Sequence, residues 1–162
     1  MPFRLLLLLP FLLAAAPAHA ALVCDVVAQG ARAGDAAPDT AAFQRAIDDC
    51  AGRGGRVEVP AGRYLLGQLR LGSAMELHLA PGAVLAASTN LADFPPVAAL
   101  ESHRAFIVGV GVRDLSISGA GTIDGSGPSY WRAVRRPDYR DTELAPDADE
   151  RRFRFGLMLQ GC

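Results

Sequence analysis

The sequence predicts an all-β solenoid, in which short parallel strands wind into stacked coils beneath a helical cap. Two observations predict it. The first is a repeat of strand, glycine turn and strand. Val57-Glu58-Val59-Pro60-Ala61-Gly62-Arg63-Tyr64-Leu65, shifted by 20 residues, places Val57 on Leu77, Val59 on Leu79, Gly62 on Gly82 and Tyr64 on Val84. A third copy, Ile117-Ser118-Gly119-Ala120-Gly121-Thr122-Ile123-Asp124-Gly125-Ser126-Gly127, follows an insertion and reads as having one extra turn residue. Units recurring at about 20–30 residues bury their apolar faces by stacking on one another. The second observation is what separates the strands. Pro60-Ala61-Gly62, Gly67, Gly72-Ser73 and Pro81-Gly82 are turn signals, and no helical pattern intervenes. Strands this short without crossover helices exclude a doubly wound α/β sheet.

The elements follow in order. Residues 1–20 read as a secretory signal peptide: Arg4, an apolar run from Leu5 to Ala16, then the small-x-small site Ala18-His19-Ala20, with cleavage after Ala20. The run is short for a membrane span, and no second candidate follows. A lipoprotein reading is weaker still, because the bulky Val23 precedes Cys24 where a small residue would be expected. The product is expected outside the cytoplasm, secreted or periplasmic. Residues 21–56 form an N-terminal segment with the capping helix. Asp39 is its expected N-cap, and Phe43, Ala46, Ile47 and Cys50 fall on one helical face. Gly52, Gly54 and Gly55 end it. Residues 57–162 form the coils. Strands are expected at Val57–Val59, Tyr64–Leu66, Leu69–Leu71, Leu77–Leu79 and Val84–Ala86. Thr89 to Arg104 reads as a loop projecting from the stack. Strands resume over Phe106–Gly125, a polar stretch covers Ser126–Phe153, and a last strand covers Phe155–Leu159. The chain ends at Cys162 soon after the repeats are established, so these are expected to be the first coils of a longer helix.

Composition narrows the chemistry. The chain has 16 basic and 17 acidic residues, and removing Arg4 leaves 15 and 17, a net charge of −2. That balance argues against a nucleic-acid partner, which would need a basic face. Every basic residue is arginine, so Schiff-base and lysine-base chemistry are excluded from this segment. Of three cysteines, Cys24 and Cys50 are a candidate disulfide pinning the chain start against the helix, which export permits. Two free buried thiols are the alternative. Cys162 is then the odd one, either a core residue or one whose partner lies elsewhere.

These residues together resemble the glycoside hydrolase family 28 proteins, the polygalacturonase family, within the pectate-lyase-like superfamily. The match runs from Asp39-Thr40-Ala41-Ala42-Phe43-Gln44 through Gly54-Gly55-Arg56-Val57-Glu58-Val59-Pro60-Ala61-Gly62 and Leu77-His78-Leu79-Ala80-Pro81-Gly82. It is sharpest at Gly119-Ala120-Gly121-Thr122-Ile123-Asp124-Gly125, with Trp131 downstream. The resemblance implies a right-handed parallel β-helix. It also implies an acidic polysaccharide partner, pectin or a related chain, and hydrolysis of α-1,4-galacturonosyl linkages with inversion. No metal or other cofactor is implied, and the full-length protein is expected to be a monomer, free of the membrane once the signal is removed. Inversion uses one carboxylic acid and one carboxylate, far enough apart to admit a water. In the family these aspartates come from Asn-Thr-Asp and Asp-Asp elements, assisted by Gly-His-Gly and Arg-Ile-Lys. None of these falls on a matching position here. Asn90 precedes Leu91, His78 and His103 lack flanking glycines, and Asp48-Asp49 lies in the capping helix. The chain alone is therefore expected to be inactive, with no catalytic residue of its own. A non-catalytic carbohydrate-binding or adhesin β-helix, or a lyase of the same superfamily, is the alternative.

Three tempting features remain. Asp124 invites a catalytic role but reads as a turn residue that hydrogen-bonds the backbone. His78, between Leu77 and Leu79, should face outward, as a carbohydrate contact or as an ordinary surface histidine. Arg132, Arg135, Arg136 and Arg140, beside Tyr130 and Trp131, suit an acidic sugar. The carboxylates Asp138, Asp141, Glu143, Asp147, Asp149 and Glu150 follow closely, so a salt-bridged surface loop is the competing reading.

Overall fold

The computed structural model describes residues 22–100, 103–127 and 157–162. Strand β1 (Val23–Asp25) leads to helix α1 (Thr40–Cys50). Three coils follow: β2 (Gly55–Val59), β3 (Gly62–Leu66) and β4 (Leu69–Arg70); β5 (Met75–Leu79), β6 (Ala83–Ala87) and β7 (Ile107–Val110); β8 (Leu115–Gly119), β9 (Thr122–Asp124) and β10 (Leu157–Gln160). Each coil gives one strand to each of three parallel sheets, ordered β1-β2-β5-β8, β3-β6-β9 and β4-β7-β10. This is the right-handed parallel β-helix expected from the sequence.

The first sheet keeps the expected register. Val57 pairs with Leu77 and Leu77 with Ile117, all facing inward. The second sheet does not, since Gly62 pairs with Ala83 and Tyr64 with Leu85, one residue beyond the shift read from the sequence. The corner between the two sheets changes length from coil to coil. It is Pro60-Ala61-Gly62 in the first coil, Ala80-Pro81-Gly82-Ala83 in the second and only Ala120-Gly121 in the third. The third turn is thus the shortest, not the longest. Its backbone cuts down onto Leu79: a Cβ on Gly121 would stand 2.6 Å from the Leu79 Cβ, and one on Gly119 would strike the Leu79 carbonyl. Gly119 also sits at φ 98°, so both positions need glycine. The corner from the third sheet back to the first is more regular. Gly54, Ala74 and Asp114 occupy equivalent places with φ of 66°, 48° and 53°.

Alternation along the strands makes the core. Val57, Leu77, Leu85, Leu66, Leu69 and Ile107 are fully buried. Each such side chain contributes about 1.5–3 kcal/mol. Inward residues of the third coil are more open: Leu115 and Ile117 are half-buried, and Ile123, Leu157 and Leu159 are exposed. The segment between β6 and β7 does not project freely. Phe94 is buried edge-on against Phe106, with ring centroids 6.3 Å apart. Gln68 Nε2 donates to the Pro95 and Ala105 carbonyls.

A different device covers each sheet of the first coil. On the first sheet β1, unforeseen in the sequence, pairs with β2. On the second, Gly34 N donates to Arg63 O, Asp39 N donates to Leu65 O, and Thr40 Oγ1 accepts from Gly67 N. On the third, Gln44 accepts from Arg70 N through Oε1 and donates to Arg70 O through Nε2. Helix α1 plugs the middle with Ala42, Phe43, Ala46, Ile47 and Cys50, all buried. Cys24 and Cys50 are disulfide-bonded with Cα atoms 6.0 Å apart. Cys162 is free and exposed.

Asp39 holds the N-cap position without the expected side-chain cap bond. Its φ and ψ of −82° and 6° are not the extended conformation that aims a side chain back at the first turn. Oδ1 instead accepts from Arg32 N at 2.8 Å, and the buried Oδ2 has no partner. Among the described residues no helix is long and apolar enough to cross a membrane. Residues 1–20, and the run from Tyr130 and Trp131 through Arg132, Arg135, Arg136 and Arg140, lie outside the described residues.

Candidate functional site

The first sheet presents its outward alternates, all polar except Val23, in two rows. Val23, Arg56, Glu76 and Ser116 form one, and Asp25, Glu58, His78 and Ser118 form the other. Neighbouring strands lie about 4.8 Å apart, so side chains along a row can touch. Arg56 holds Glu76 through two of its guanidinium nitrogens, Nε to Oε2 at 2.8 Å and Nη2 to Oε1 at 3.2 Å. Ser118 Oγ donates to Glu76 Oε1 at 2.5 Å. His78 Nδ1 lies 2.7 Å from the same hydroxyl and 3.7 Å from Glu76 Oε1.

These contacts assign the protons. Ser118 has one hydrogen and gives it to Glu76, so it can only accept from His78. The network therefore places a proton on Nδ1 and leaves Nε2 as the open nitrogen. The Arg56 bond, and after it the Ser118 bond, holds the Glu76 carboxyl below its ordinary range, and Glu76 raises Arg56 in turn. An ionised, bidentate-paired carboxylate is not poised to donate a proton to a leaving group. The ladder can hold a hydroxyl-rich ligand, through His78 Nε2 and the Glu58 carboxylate, but it is not an acid–base pair. His78 does face outward, half-buried within the ladder.

Asp124 behaves as a turn residue. Oδ1 accepts from Ser126 N at 2.9 Å, and Oδ2 lies 3.3 Å from Arg63 Nη1. Ser126 Oγ donates back to Ala87 O, which locks the end of β9 onto the coil beneath. Asp48 and Asp49 are exposed on α1, receiving Gln44 and Gln29 amides. Among the described residues no cluster of three or more His, Cys, Asp or Glu could hold a metal.

Sequence reasoning singled out His78 but missed its partners. Glu76 and Ser118 lie two residues before His78 and 40 residues after it, and only register brings them together. The one available signal was the period-two run of polar residues alternating with Val57, Val59, Leu77 and Leu79.

With this geometry in view, the chain can be compared with known proteins. No family model matches it. Over 133 residues it is 35% identical to an exo-poly-α-D-galacturonosidase of Dickeya chrysanthemi, covering 74% of this chain and 21% of that protein. A family 28 exopolygalacturonase structure from Yersinia enterocolitica superposes with a TM-score of 0.59 at 36% identity, over 65% of this chain and 21% of the other. An exopolygalacturonase from Thermotoga maritima, at 22% identity and a TM-score of 0.59, shares the fold over 77% of this chain and 30% of its own. The chain thus resembles the family 28 polygalacturonases in sequence and fold, and it spans about a fifth of the length of the first two.

Proposed function

We propose that this chain supplies the capped first coils of an exported, polygalacturonase-like glycoside hydrolase acting on pectic polysaccharide. The reaction is inverting hydrolysis of α-1,4-galacturonosyl linkages without a metal, and the catalytic aspartates lie outside these 162 residues. The 35% identity with the Dickeya galacturonosidase carries the reading, because it runs through the cap and the coils together. The ladder of Arg56, Glu76, Ser118 and His78 fits a supporting role, since its carboxylate is already committed. These coils hold the start of a long binding face in place while the chemistry occurs further along the stack.

The test is expression of the whole gene, followed by assay on polygalacturonate. Release of reducing ends that survives chelation, with inverted product anomers by NMR, is the expected result. Products with unsaturated ends, or activity lost on calcium removal, would replace the hydrolase with a lyase. Binding without cleavage would leave a carbohydrate-binding β-helix. Amino-terminal sequencing of the exported protein should begin at Ala21.

A further inference from the structure

The corner that returns each coil from the third sheet to the first carries a row of its own. Gly55, Met75 and Leu115 are paired across the first sheet, and the residues just before them, Gly54, Ala74 and Asp114, share the left-handed backbone conformation. One step earlier stand Arg53, Ser73 and Arg113. Backbone bonds fix the stacking: Gly52 N to Ser73 O, Gly54 N to Ala74 O, and Ala74 N to Arg113 O, at 2.7 to 2.8 Å. Arg53 and Arg113 are therefore two strand spacings apart along the stack, about 10 Å, on the same exposed edge.

These two guanidiniums are differently placed from Arg56 and Arg63, which pair with Glu76 and Asp124. Arg53 donates from Nε and Nη2 of its guanidinium to the Asp49 carbonyl at the end of α1, which orients the group, leaves Nη1 to face a ligand and does not neutralise the charge. Arg113 has no carboxylate partner among the described residues. Between them, the Ser73 hydroxyl accepts from Arg113 N at 3.1 Å and keeps its own hydrogen to donate. Opposing charge is supplied by the exposed Asp114, next to Arg113 in the chain, and by the exposed Asp49, whose own carbonyl holds Arg53. The edge also borders the outward row of Arg56, Glu76 and Ser116.

We propose that the Arg53–Ser73–Arg113 corner is a docking edge for an acidic glycan lying along the stack axis. Each guanidinium meets one anionic group of the glycan, and the Ser73 hydroxyl meets the sugar between them. Carboxylate presents a planar pair and sulfate a tripod of anionic oxygens, and guanidinium can pair with either, so either can supply the anion. The proposal rests on the polysaccharide reading above, but it concerns binding and not cleavage.

The test is affinity electrophoresis of the full-length protein and its R53Q, R113Q and double variants in gels containing sodium polygalacturonate, a sulfated galactan or dextran. Each single change should weaken binding to the anionic glycan about two- to fivefold at low salt, with less effect at high salt. Dextran mobility should not change, and Asp114→Asn should tighten binding. A loss confined to polygalacturonate assigns carboxylate, and one confined to the galactan assigns sulfate. Arg53, Arg113 and Asp114 are exposed, so melting temperatures should stay close to the parent; R53Q also loses the bonds to the Asp49 carbonyl, so R113Q is the variant whose weaker gel shift reports binding alone. The double variant binding both anionic glycans as tightly as the parent would overturn the proposal, as would a parent that binds neither. A parent that binds through this corner but releases no reducing ends would sink the hydrolase reading alone. One that cleaves while the variants bind unchanged would sink the corner alone.

Discussion

Gln44 is where a single side chain stands in for a missing strand, and Gln44→Ala tests that substitution directly. In β4 the amides alternate in direction. Leu69 N and Leu71 N donate to Phe106 O, just before β7, and to Val108 O within it, each at 2.8 Å. Arg70 N and O must therefore point away from β7, toward the side where the stack begins. There the Gln44 amide meets both, at 3.0 Å each, and is itself steadied by Nε2 donating to Asp48 Oδ1 at 2.8 Å. Alanine keeps the helix and removes both bonds. The edge is exposed, so water replaces them, and each is worth about 0.5–1.5 kcal/mol. The sum is about 1–3 kcal/mol, which corresponds to roughly five- to 150-fold faster opening at Arg70. Native-state hydrogen exchange read at Arg70 gives the local term, and denaturant unfolding gives the global one. Gln44→Glu should be worse than alanine, because it loses the donor and sets a carboxylate against both the Arg70 carbonyl and Asp48. Arg70 exchange unchanged in both variants would refute the claim that this side chain closes the sheet edge.

Other outcomes follow from the same cap. Phe43→Ala removes a fully buried ring stacked edge-on against Tyr64 at 5.2 Å, and should cost about 3–5 kcal/mol in unfolding free energy by chemical denaturation. Reducing the Cys24–Cys50 bridge, or replacing both residues by serine, releases a loop closed over 26 residues and should cost about 3–4 kcal/mol, read as a lower melting temperature. Burial pushes the Asp39 carboxyl above its ordinary range, more than the Arg32 amide pulls it down. The neighbouring charged or titratable groups are Arg32, Asp35 and Tyr64. A raised acid favours the folded state only while protonated, so its contribution is complete below about pH 4 and is lost as pH rises toward the folded value. Asp39→Asn should therefore gain stability relative to the parent as pH climbs through that window, and parallel pH–stability curves would contradict it.

How much of this could be read in advance depended on distance along the chain. The helix face of Phe43, Ala46, Ile47 and Cys50 and the alternation of Val57, Val59, Leu77 and Leu79 are local patterns, and both appear where expected. Strand β1 was missed because three residues carry no period of their own, and its pairing partner is Arg56 to Glu58, far down the chain. The offset of the second sheet was missed because a fixed shift assumes corners of constant length, whereas these corners change from coil to coil. The third turn looked extended because its glycines resemble an insertion. They are instead what allows the backbone to press onto Leu79. Asp39 looked like a cap by residue type and position, but its backbone angles turned the carboxylate toward Arg32. The His78 ladder depends on register across coils, which composition and spacing do not encode.

The three-part closure over the first coil gives the stack a blind end and a growing end. Pairing groups of the first coil are taken up by β1, by the 34–40 segment and by Gln44, so a further coil has no open ladder on that coil to join. The blind end is also the part that leaves the ribosome first. Each later coil then meets a finished surface with its backbone groups already in line, and needs to search only for its register against the layer below. The stack is in this sense templated from the cap outward, and a fault in the cap would be inherited by the layers built upon it.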